Sequence, residues 1–323
     1  MPSGPSHPVQ AVREDGFTLV GGVRIHYEAW GEGDPVVLIH GLGSCAAAFR
    51  AVGPFLAEAG YRALAVDLPG CGLSARPGAG FTRRALAAAV LGFLDNLGVR
   101  RVRALVGHSM GAAIALELAA TRPERVELVA VLDGQGIVST PRLLALAAPV
   151  VPLAGELAAG LTAIAPVATR RLLTRLYLRR IFRDPGRIPD ELVEAYATCA
   201  DAGYQRAMFG MLRHLGDTAE LAAAVRTLPQ PALLVWGRDD VVCPPCLAEE
   251  LHRALPDAEL KFLSRCGHSP AEERPEELSG LLVDFFARRG PRARRPVAAR
   301  TGGIRRSPAR HGAGPRKARR PRP

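Results

Sequence analysis

Acidic residues are missing from the end of this 323-residue chain. Fourteen of its 42 Lys and Arg lie between Arg288 and Pro323, where there is no Asp or Glu. The rest of the chain has 28 basic and 31 acidic residues and is therefore mildly acidic. The formal charge of +11 comes from the tail. Nucleic acid or an anionic surface would therefore be bound only through the tail, and the alternative is that the tail is a solvated extension without a binding function. With almost nothing to bury, the tail is expected to be disordered.

Aromatic residues, export signals and uninterrupted apolar runs are also scarce. Only 5% of the residues are aromatic. The first fifteen residues lack the apolar segment of a secretory signal, so we expect a cytoplasmic protein whose six cysteines are reduced thiols. The most apolar stretch, Leu143–Thr169, contains three prolines and Glu156. These residues argue against a helix that spans a membrane.

Short apolar runs alternate with helical patterns along most of the chain, which predicts an α/β fold with a mostly parallel sheet covered by helices on both faces. The predicted strands are Phe17–Val20, Val23–Trp30, Val36–His40, Tyr61–Asp67, Val102–Gly107, Val126–Asp133, Ala232–Gly237 and Glu259–Leu263. The predicted helices of this layer are Ala46–Ala59, Arg83–Leu97, Ala112–Ala120 and Glu276–Ala287.

The alternation stops between Asp133 and Ala232, where several helical patterns broken by prolines follow one another without a strand. This pattern indicates helices inserted between two strands of one sheet, which we interpret as a helical lid. The chain is accordingly divided into a flexible N-terminus (1–16), a first core part (17–136), the lid (137–222), a second core part (223–288) and a disordered basic tail (289–323).

The pentapeptide Gly107-His108-Ser109-Met110-Gly111 fits G-x-S-x-G. The motif alone is weak, but an apolar strand leads into it and a helix rich in Ala, Leu and Ile leaves it. A serine on such a tight strand-to-helix turn holds its hydroxyl above the sheet, and the helix N-terminus presents backbone N–H groups to a developing anion. The context therefore predicts Ser109 as a nucleophile.

Two further segments follow the last predicted strands. Cys266-Gly267-His268-Ser269-Pro270 places His268 after the final strand, where a base would accept the Ser109 proton near neutral pH. Leu234–Val242 carries the adjacent Asp239 and Asp240 at the end of its strand. Cys243 and Cys246 form a C-x-x-C, which we interpret as incidental because neither a second C-x-x-C nor a thioredoxin-like unit accompanies it.

The order of these motifs along the chain resembles that of the α/β-hydrolase superfamily, specifically its lid-bearing serine esterases and lipases. The resemblance extends from about Phe17 to Ala287. The resemblance implies an eight-stranded sheet with an inserted lid and a catalytic triad of Ser109, Asp240 and His268. The spacing G-x-x-D after Gly237 selects Asp240, with Asp133 and Asp239 as the alternatives. The oxyanion hole would be formed by the backbone amides of Leu42, in His40-Gly41-Leu42-Gly43, and of Met110.

The resemblance also assigns structural roles. Asp67–Ser74 matches a family turn, and His40 and His108 are motif residues without a proton-transfer role. No metal or organic cofactor is expected.

The predicted reaction is cleavage of a carboxylic ester, or a lactone or thioester, of an apolar small molecule through an acyl-enzyme. A histidine before the nucleophile is common among esterases of this superfamily, and the apolar lid favours an apolar substrate. Carbon–carbon bond hydrolases and cofactor-free haloperoxidases use the same triad and remain alternatives. From a different class, the alternative is a small-molecule receptor of the same fold, because its triad residues can be intact.

Overall fold

A computed structural model describes residues 13–134, 151–216 and 218–289. In these ranges, eight strands form one sheet in the order β1-β2-β4-β3-β5-β6-β7-β8. The pairs β1–β2 and β2–β4 are antiparallel, and all the others are parallel. The strands are β1 Arg13–Val20, β2 Val23–Trp30, β3 Asp34–Ile39, β4 Tyr61–Val66, β5 Val102–His108, β6 Val126–Leu132, β7 Ala232–Gly237 and β8 Ala258–Leu263. The mostly parallel eight-stranded sheet of an α/β fold is thereby confirmed.

Each central strand contributes side chains to two hydrophobic cores, one on each face of the sheet. On β5, Leu105 belongs to one core, whereas its neighbours Ala104 and Val106 belong to the other. Alternate side chains of a strand point to opposite faces, so a strand that is covered on both faces is apolar at most of its positions. This is why the parallel strands were recognisable as mainly apolar runs.

Helices pack on the sheet and also fill the interval between β6 and β7. In the described ranges they are α1 Gly53–Glu58, α2 Arg83–Asn96, α3 Met110–Thr121, α4 Val151–Ile164, α5 Val167–Ile181, α6 Asp190–Cys199, α7 Ala202–Leu212, α8 Ala219–Ala224, α9 Cys246–Ala254, α10 Pro270–Glu273 and α11 Pro275–Arg288. Four 3-10 turns are added at Ala46–Phe49, Pro123–Arg125, Pro185–Arg187 and Val225–Thr227. No helix among the described residues is both long and apolar enough to cross a membrane.

Several boundaries differ from the sequence-based expectation, two of them by more than two residues. Strand β1 begins at Arg13, inside the segment expected to be flexible, because it is an edge strand that pairs with β2 while its polar side chains stay exposed. The single helix expected over Ala46–Ala59 is a 3-10 turn followed by α1, which begins at Gly53-Pro54. Proline lacks a backbone N–H and is tolerated in the first turn of a helix, so it sets a new start there.

The inserted helices α4 to α8 lie where a lid was expected, and no strand interrupts them in the described ranges. The first part of the expected lid, up to residue 150, the N-terminal residues 1–12 and the basic tail from residue 290 lie outside the described residues.

Candidate active site

Ser109 occupies the sharp turn between β5 and α3. Its backbone has φ 53° and ψ −117°, a conformation that residues other than glycine rarely adopt. The Ser109 N–H donates to the Leu132 carbonyl oxygen at 2.9 Å, which ties the turn to β6. Strand β5 is buried throughout and carries Ser109 to the carboxyl edge of the sheet. The turn therefore has the strained geometry that G-x-S-x-G predicted.

The two glycines of this turn are required by close backbone contacts. A Cβ on Gly107 would lie 2.3 Å from the Gly111 carbonyl oxygen. A Cβ on Gly111 would lie 2.2 Å from the Ile39 carbonyl oxygen and 2.6 Å from that of His40. Neighbouring backbone cannot move as a flexible side chain can, so helix α3 approaches β3 this closely only because Gly111 has no side chain.

We expect Gly111→Ala to lower the free energy of unfolding by about 3 kcal/mol or more, because the added methyl group collides with the backbone of β3. Urea denaturation of the purified variant measures this change. Gly160→Ala is the matched control: it lies within α4 with nothing within 4 Å of the added methyl group, and is expected to leave stability unchanged or raise it by up to about 1 kcal/mol. Equal effects of the two substitutions would contradict this account of the turn.

Ser109, His268 and Asp240 form one hydrogen-bonded chain. The Ser109 hydroxyl donates to His268 Nε2 at 3.0 Å, and His268 Nδ1–H donates to Asp240 Oδ2 at 2.7 Å. Asp240 Oδ1 accepts the backbone N–H groups of Val242 and Cys243, at 2.7 and 2.9 Å. All three side chains are buried. The structure thus brings together the three residues predicted as the triad, with the carboxylate fixed by the turn after β7.

The two alternative aspartates have different surroundings. Asp239 is largely exposed and forms an ion pair with Arg183 at 3.3 Å. Asp133 ends β6 with φ 45°, is fully buried and accepts the Gly237 N–H at 2.8 Å through Oδ1. Burial and the neighbouring charge of Asp240 raise the pKa of Asp133 well above its usual range. The surroundings of Asp133 therefore favour its neutral form, while Asp240 holds the histidine.

The other two motif histidines are held in structural hydrogen bonds. His108 Nε2–H donates to the His268 carbonyl oxygen at 2.6 Å, and burial and the adjacent His268 lower the pKa of His108 to about 3. His40 Nδ1–H donates to the Gly41 carbonyl oxygen at 2.8 Å, and its Nε2 accepts the Leu68 N–H at 3.1 Å. Burial also lowers the pKa of His40. Both rings are neutral, and both of the His40 ring nitrogens are occupied.

The two expected oxyanion donors are the residue that follows Ser109 and a residue of a loop that contacts Ser109. Met110 is the first residue of α3, so its N–H is at the N-terminus of that helix. Leu42 lies in the loop 40–44 after β3, which we call the oxyanion loop. A Cβ on Gly41 would lie 3.0 Å from Ser109 Cβ, which shows how closely this loop approaches the serine. The placement suits two amides that point at an oxyanion on the substrate.

Three residues around this loop were not singled out from the sequence. The Tyr177 hydroxyl donates to the Leu42 carbonyl oxygen at 3.0 Å. The Tyr196 hydroxyl hydrogen bonds with Ser44 Oγ at 2.5 Å and donates to Glu272 Oε1 at 3.1 Å. These contacts connect the inserted helices α5 and α6 to the oxyanion loop. The only available signal was the acidic Glu272 four residues after His268, which by itself has no specific meaning.

We expect Glu272→Gln to stabilise the protein at alkaline pH. Burial raises the pKa of Glu272 to about 7, against hydrogen bonds with Ser269 and Tyr196 that lower it. The Glu272 carboxyl group therefore binds its proton more tightly in the folded state than in the unfolded state. The contribution of this proton to the free energy of unfolding is present at acidic pH and is lost as the pH rises from about 4.5 to 7. The variant is expected to gain about 3 kcal/mol over the wild type at pH 8 and nothing at pH 4.

Urea denaturation at both pH values measures this difference. Glu58→Gln, exposed on α1, is the control and is expected to show no such pH-dependent gain. If the difference in unfolding free energy between Glu272→Gln and the wild type were the same at pH 4 and pH 8, Glu272 would not be a buried carboxylate that titrates in this range.

Two groups of side chains near the site have metal-binding residue types. They are His108 with Asp133 and His268, and Asp240 with Cys243 and His268. Both groups share His268, whose two ring nitrogens hydrogen bond with Asp240 and Ser109. A metal ion in either group would therefore have to replace the triad contacts. Of the C-x-x-C, Cys243 is buried and Cys246 is exposed, and both are free thiols.

Comparison with known proteins places this site in a family context. The sequence matches the Alpha/beta hydrolase family over residues 36–281. It is 30% identical to the hydrolase YugF of Bacillus subtilis (strain 168), over 83% of this chain and 96% of that protein. It is 32% identical to 2-hydroxymuconate semialdehyde hydrolase of Pseudomonas putida, over 83% of this chain and 92% of that protein. Among solved structures, Cfl2 of Burkholderia cenocepacia superimposes with a TM-score of 0.74 at 27% identity, covering 88% of this chain and all of that one.

Proposed function

Because this chain belongs to the alpha/beta hydrolase family and is a hydrolase of that fold, we propose that it cleaves a carboxylic ester of an apolar small molecule, with Ser109 as the nucleophile. The observation that carries this proposal is the hydrogen-bonded chain from Ser109 through His268 to Asp240. A serine, an imidazole and a carboxylate in this arrangement are the parts needed for acyl transfer.

In the proposed mechanism, the residues act one after another. His268 Nε2 takes the Ser109 proton as the hydroxyl oxygen attacks the ester carbonyl, and Asp240 stabilises the imidazolium that forms. The amides of Leu42 and Met110 hold the oxyanion of the tetrahedral intermediate. His268 then protonates the departing alkoxide, which leaves an acyl group on Ser109. Water, deprotonated by His268, attacks this acyl-enzyme, and the acid is released as Ser109 recovers its proton.

The alternative on the same triad is hydrolysis of a carbon–carbon bond next to a ketone. It is favoured by the relative from Pseudomonas putida, which is named for the hydrolysis of 2-hydroxymuconate semialdehyde. A carbon leaving group must be protonated on carbon, which adds a proton transfer that His268 would also have to carry. His108, the nearest other imidazole, has a pKa of about 3 and donates its Nε2–H to a backbone carbonyl. An alkoxide needs only the proton of His268, so we favour the ester.

The test compares the two substrate types on one preparation. We expect hydrolysis of p-nitrophenyl butyrate to exceed the decay of 2-hydroxymuconate semialdehyde, each followed by absorbance. Faster cleavage of the semialdehyde would overturn the ester proposal in favour of carbon–carbon hydrolysis. Tight ligand binding with no turnover of either compound would support a receptor instead.

We also propose, on the sequence grounds above, that the inserted helices act as a lid and that the enzyme is cytoplasmic.

A further inference from the structure

A cavity of about 460 Å³ lies between the inserted helices and the oxyanion loop. Its described wall is formed by α4 to α7 together with Gly43 of the loop. Most of this wall is apolar or aromatic, as in Leu161, Leu173, Tyr204 and Met208. A cavity with this lining takes the hydrocarbon part of a small molecule.

Arg170 is the one charged side chain on the described wall of this cavity. Its Nε is buried and has no hydrogen-bond partner in the part of the chain that the structure describes. Its neighbours on α5 differ: Arg171 Nε donates to Glu194 at 2.6 Å, and Arg175 Nη2 donates to Asp190 at 2.5 Å. For Arg170, no ion pair with a described carboxylate is found.

A buried guanidinium N–H that has no hydrogen-bond partner is energetically unfavourable unless an acceptor joins it. Buried polar groups in folded proteins are nearly always hydrogen bonded, and a charged group that lacks a partner is the more costly case. The planar guanidinium presents parallel N–H donors that fit a carboxylate. Arg170, whose Nε–H has no partner among the described residues, is therefore suited to a carboxylate on the bound molecule.

The cavity borders the oxyanion loop, which lies against the nucleophile. Gly43, on its wall, is two residues from Gly41, which lies against Ser109. Tyr177, also on the wall, donates to the carbonyl oxygen of Leu42 in this loop. Arg170 and Tyr177 are seven residues apart on α5, so they lie on one face of the helix and their backbones are separated by about 10 Å. A molecule in the cavity can thus contact the oxyanion loop at one end and Arg170 at the other.

We propose that Arg170 binds a carboxylate at the far end of the acyl chain, so that the preferred substrates are half-esters of medium-length dicarboxylic acids. This inference rests on the ester hydrolysis proposed above and narrows its substrate class. The apolar wall accommodates the methylene chain, and the terminal charge selects these substrates over neutral fatty acyl esters. Arg170 acts on specificity and takes no part in bond cleavage.

The test uses two esters of equal acyl length: mono-p-nitrophenyl suberate, which carries a terminal carboxylate, and p-nitrophenyl octanoate, which ends in a methyl group. We expect the wild type to prefer the suberate ester. Arg170→Met is expected to lower kcat/KM for the suberate ester by about 10- to 100-fold, mainly through KM, and to change that for octanoate by less than about threefold. The control Arg171→Met removes a neighbouring arginine that is paired on the surface, and is expected to change neither.

Binding of free suberate, measured by isothermal titration calorimetry, tests the site without turnover. We expect binding to the wild type and to Arg171→Met, with affinity about tenfold or more lower in Arg170→Met. Equal suberate binding by the wild type and Arg170→Met, or an equal loss of activity toward both esters in Arg170→Met, would overturn the Arg170 site. Suberate binding that depends on Arg170, without hydrolysis of either ester, would retain the site and overturn the proposed ester hydrolysis instead.

Discussion

Replacing Ser109 with alanine is expected to lower kcat/KM for p-nitrophenyl butyrate by about 10⁵-fold. The hydroxyl oxygen lies 3.0 Å from His268 Nε2 and is the atom that would form the acyl-enzyme. Without it, the triad contributes nothing, and the residual rate comes from the oxyanion hole and substrate binding alone. Initial rates of p-nitrophenol release over a range of substrate concentrations measure the effect.

The control for this loss is the stability of the variant. Ser109 makes its structural contact through its backbone N–H, which donates to the Leu132 carbonyl oxygen and is kept in the alanine variant. We therefore expect the urea unfolding midpoint to stay close to that of the wild type. A variant that folds normally and retains more than about one hundredth of the activity would rule out Ser109 as the nucleophile.

Asp240→Asn is expected to lower kcat/KM by about 10⁴-fold, whereas Asp133→Asn is expected to stay within about tenfold of the wild type. Asp240 Oδ2 accepts the His268 Nδ1–H at 2.7 Å and thereby fixes the tautomer in which Nε2 is free to take the serine proton. An amide in place of this carboxylate can donate to Nδ1 and so favour the wrong tautomer.

Asp133 provides the matched comparison, because it is an equally buried aspartate at the end of the neighbouring strand. Its raised pKa favours the neutral form, for which an asparagine side chain is a close match in shape and charge. The same ester assay, run on both variants, measures the contrast. If Asp133→Asn were the more damaging substitution, the catalytic acid would lie at the end of β6, and our assignment of Asp240 would be incorrect.

The sheet was predictable because burial on both faces leaves a strong sequence signal. Strand Ala232–Gly237, for example, is apolar at every position and ends in glycine. Edge strand β1 carries a weaker signal, because Arg13, Glu14 and Asp15 pair through their backbones and keep their side chains in water. The sequence pattern therefore placed its start four residues too late.

The sequence alone could not show which of the two candidate aspartates pairs with His268. Asp133 and Asp240 are more than one hundred residues apart, and both end neighbouring strands. Which one faces His268 depends on the strand register and on the turn after β7, where the N–H groups of Val242 and Cys243 hold Asp240 Oδ1. Motif spacing selected Asp240, and the structure gives a physical reason for that choice.

The inserted helices were predictable as helices, but their side-chain contacts were not. The sequence indicated an apolar lid and an apolar substrate, and neither Arg170 nor Tyr177 stood out among the many basic and apolar residues of α5. Their positions on the cavity wall follow from the packing of α5 against the oxyanion loop. The proposed substrate accordingly keeps an apolar chain but gains a terminal carboxylate.

The most direct test of the central claim, that Ser109 is activated by His268, is covalent labelling followed by intact-protein mass spectrometry. A fluorophosphonate reacts with an activated serine without requiring the natural substrate. We predict a single adduct, located on the peptide that contains Ser109, absent in Ser109→Ala and formed far more slowly in His268→Ala. Labelling at another residue, or labelling of Ser109 at an unchanged rate in His268→Ala, would contradict the account.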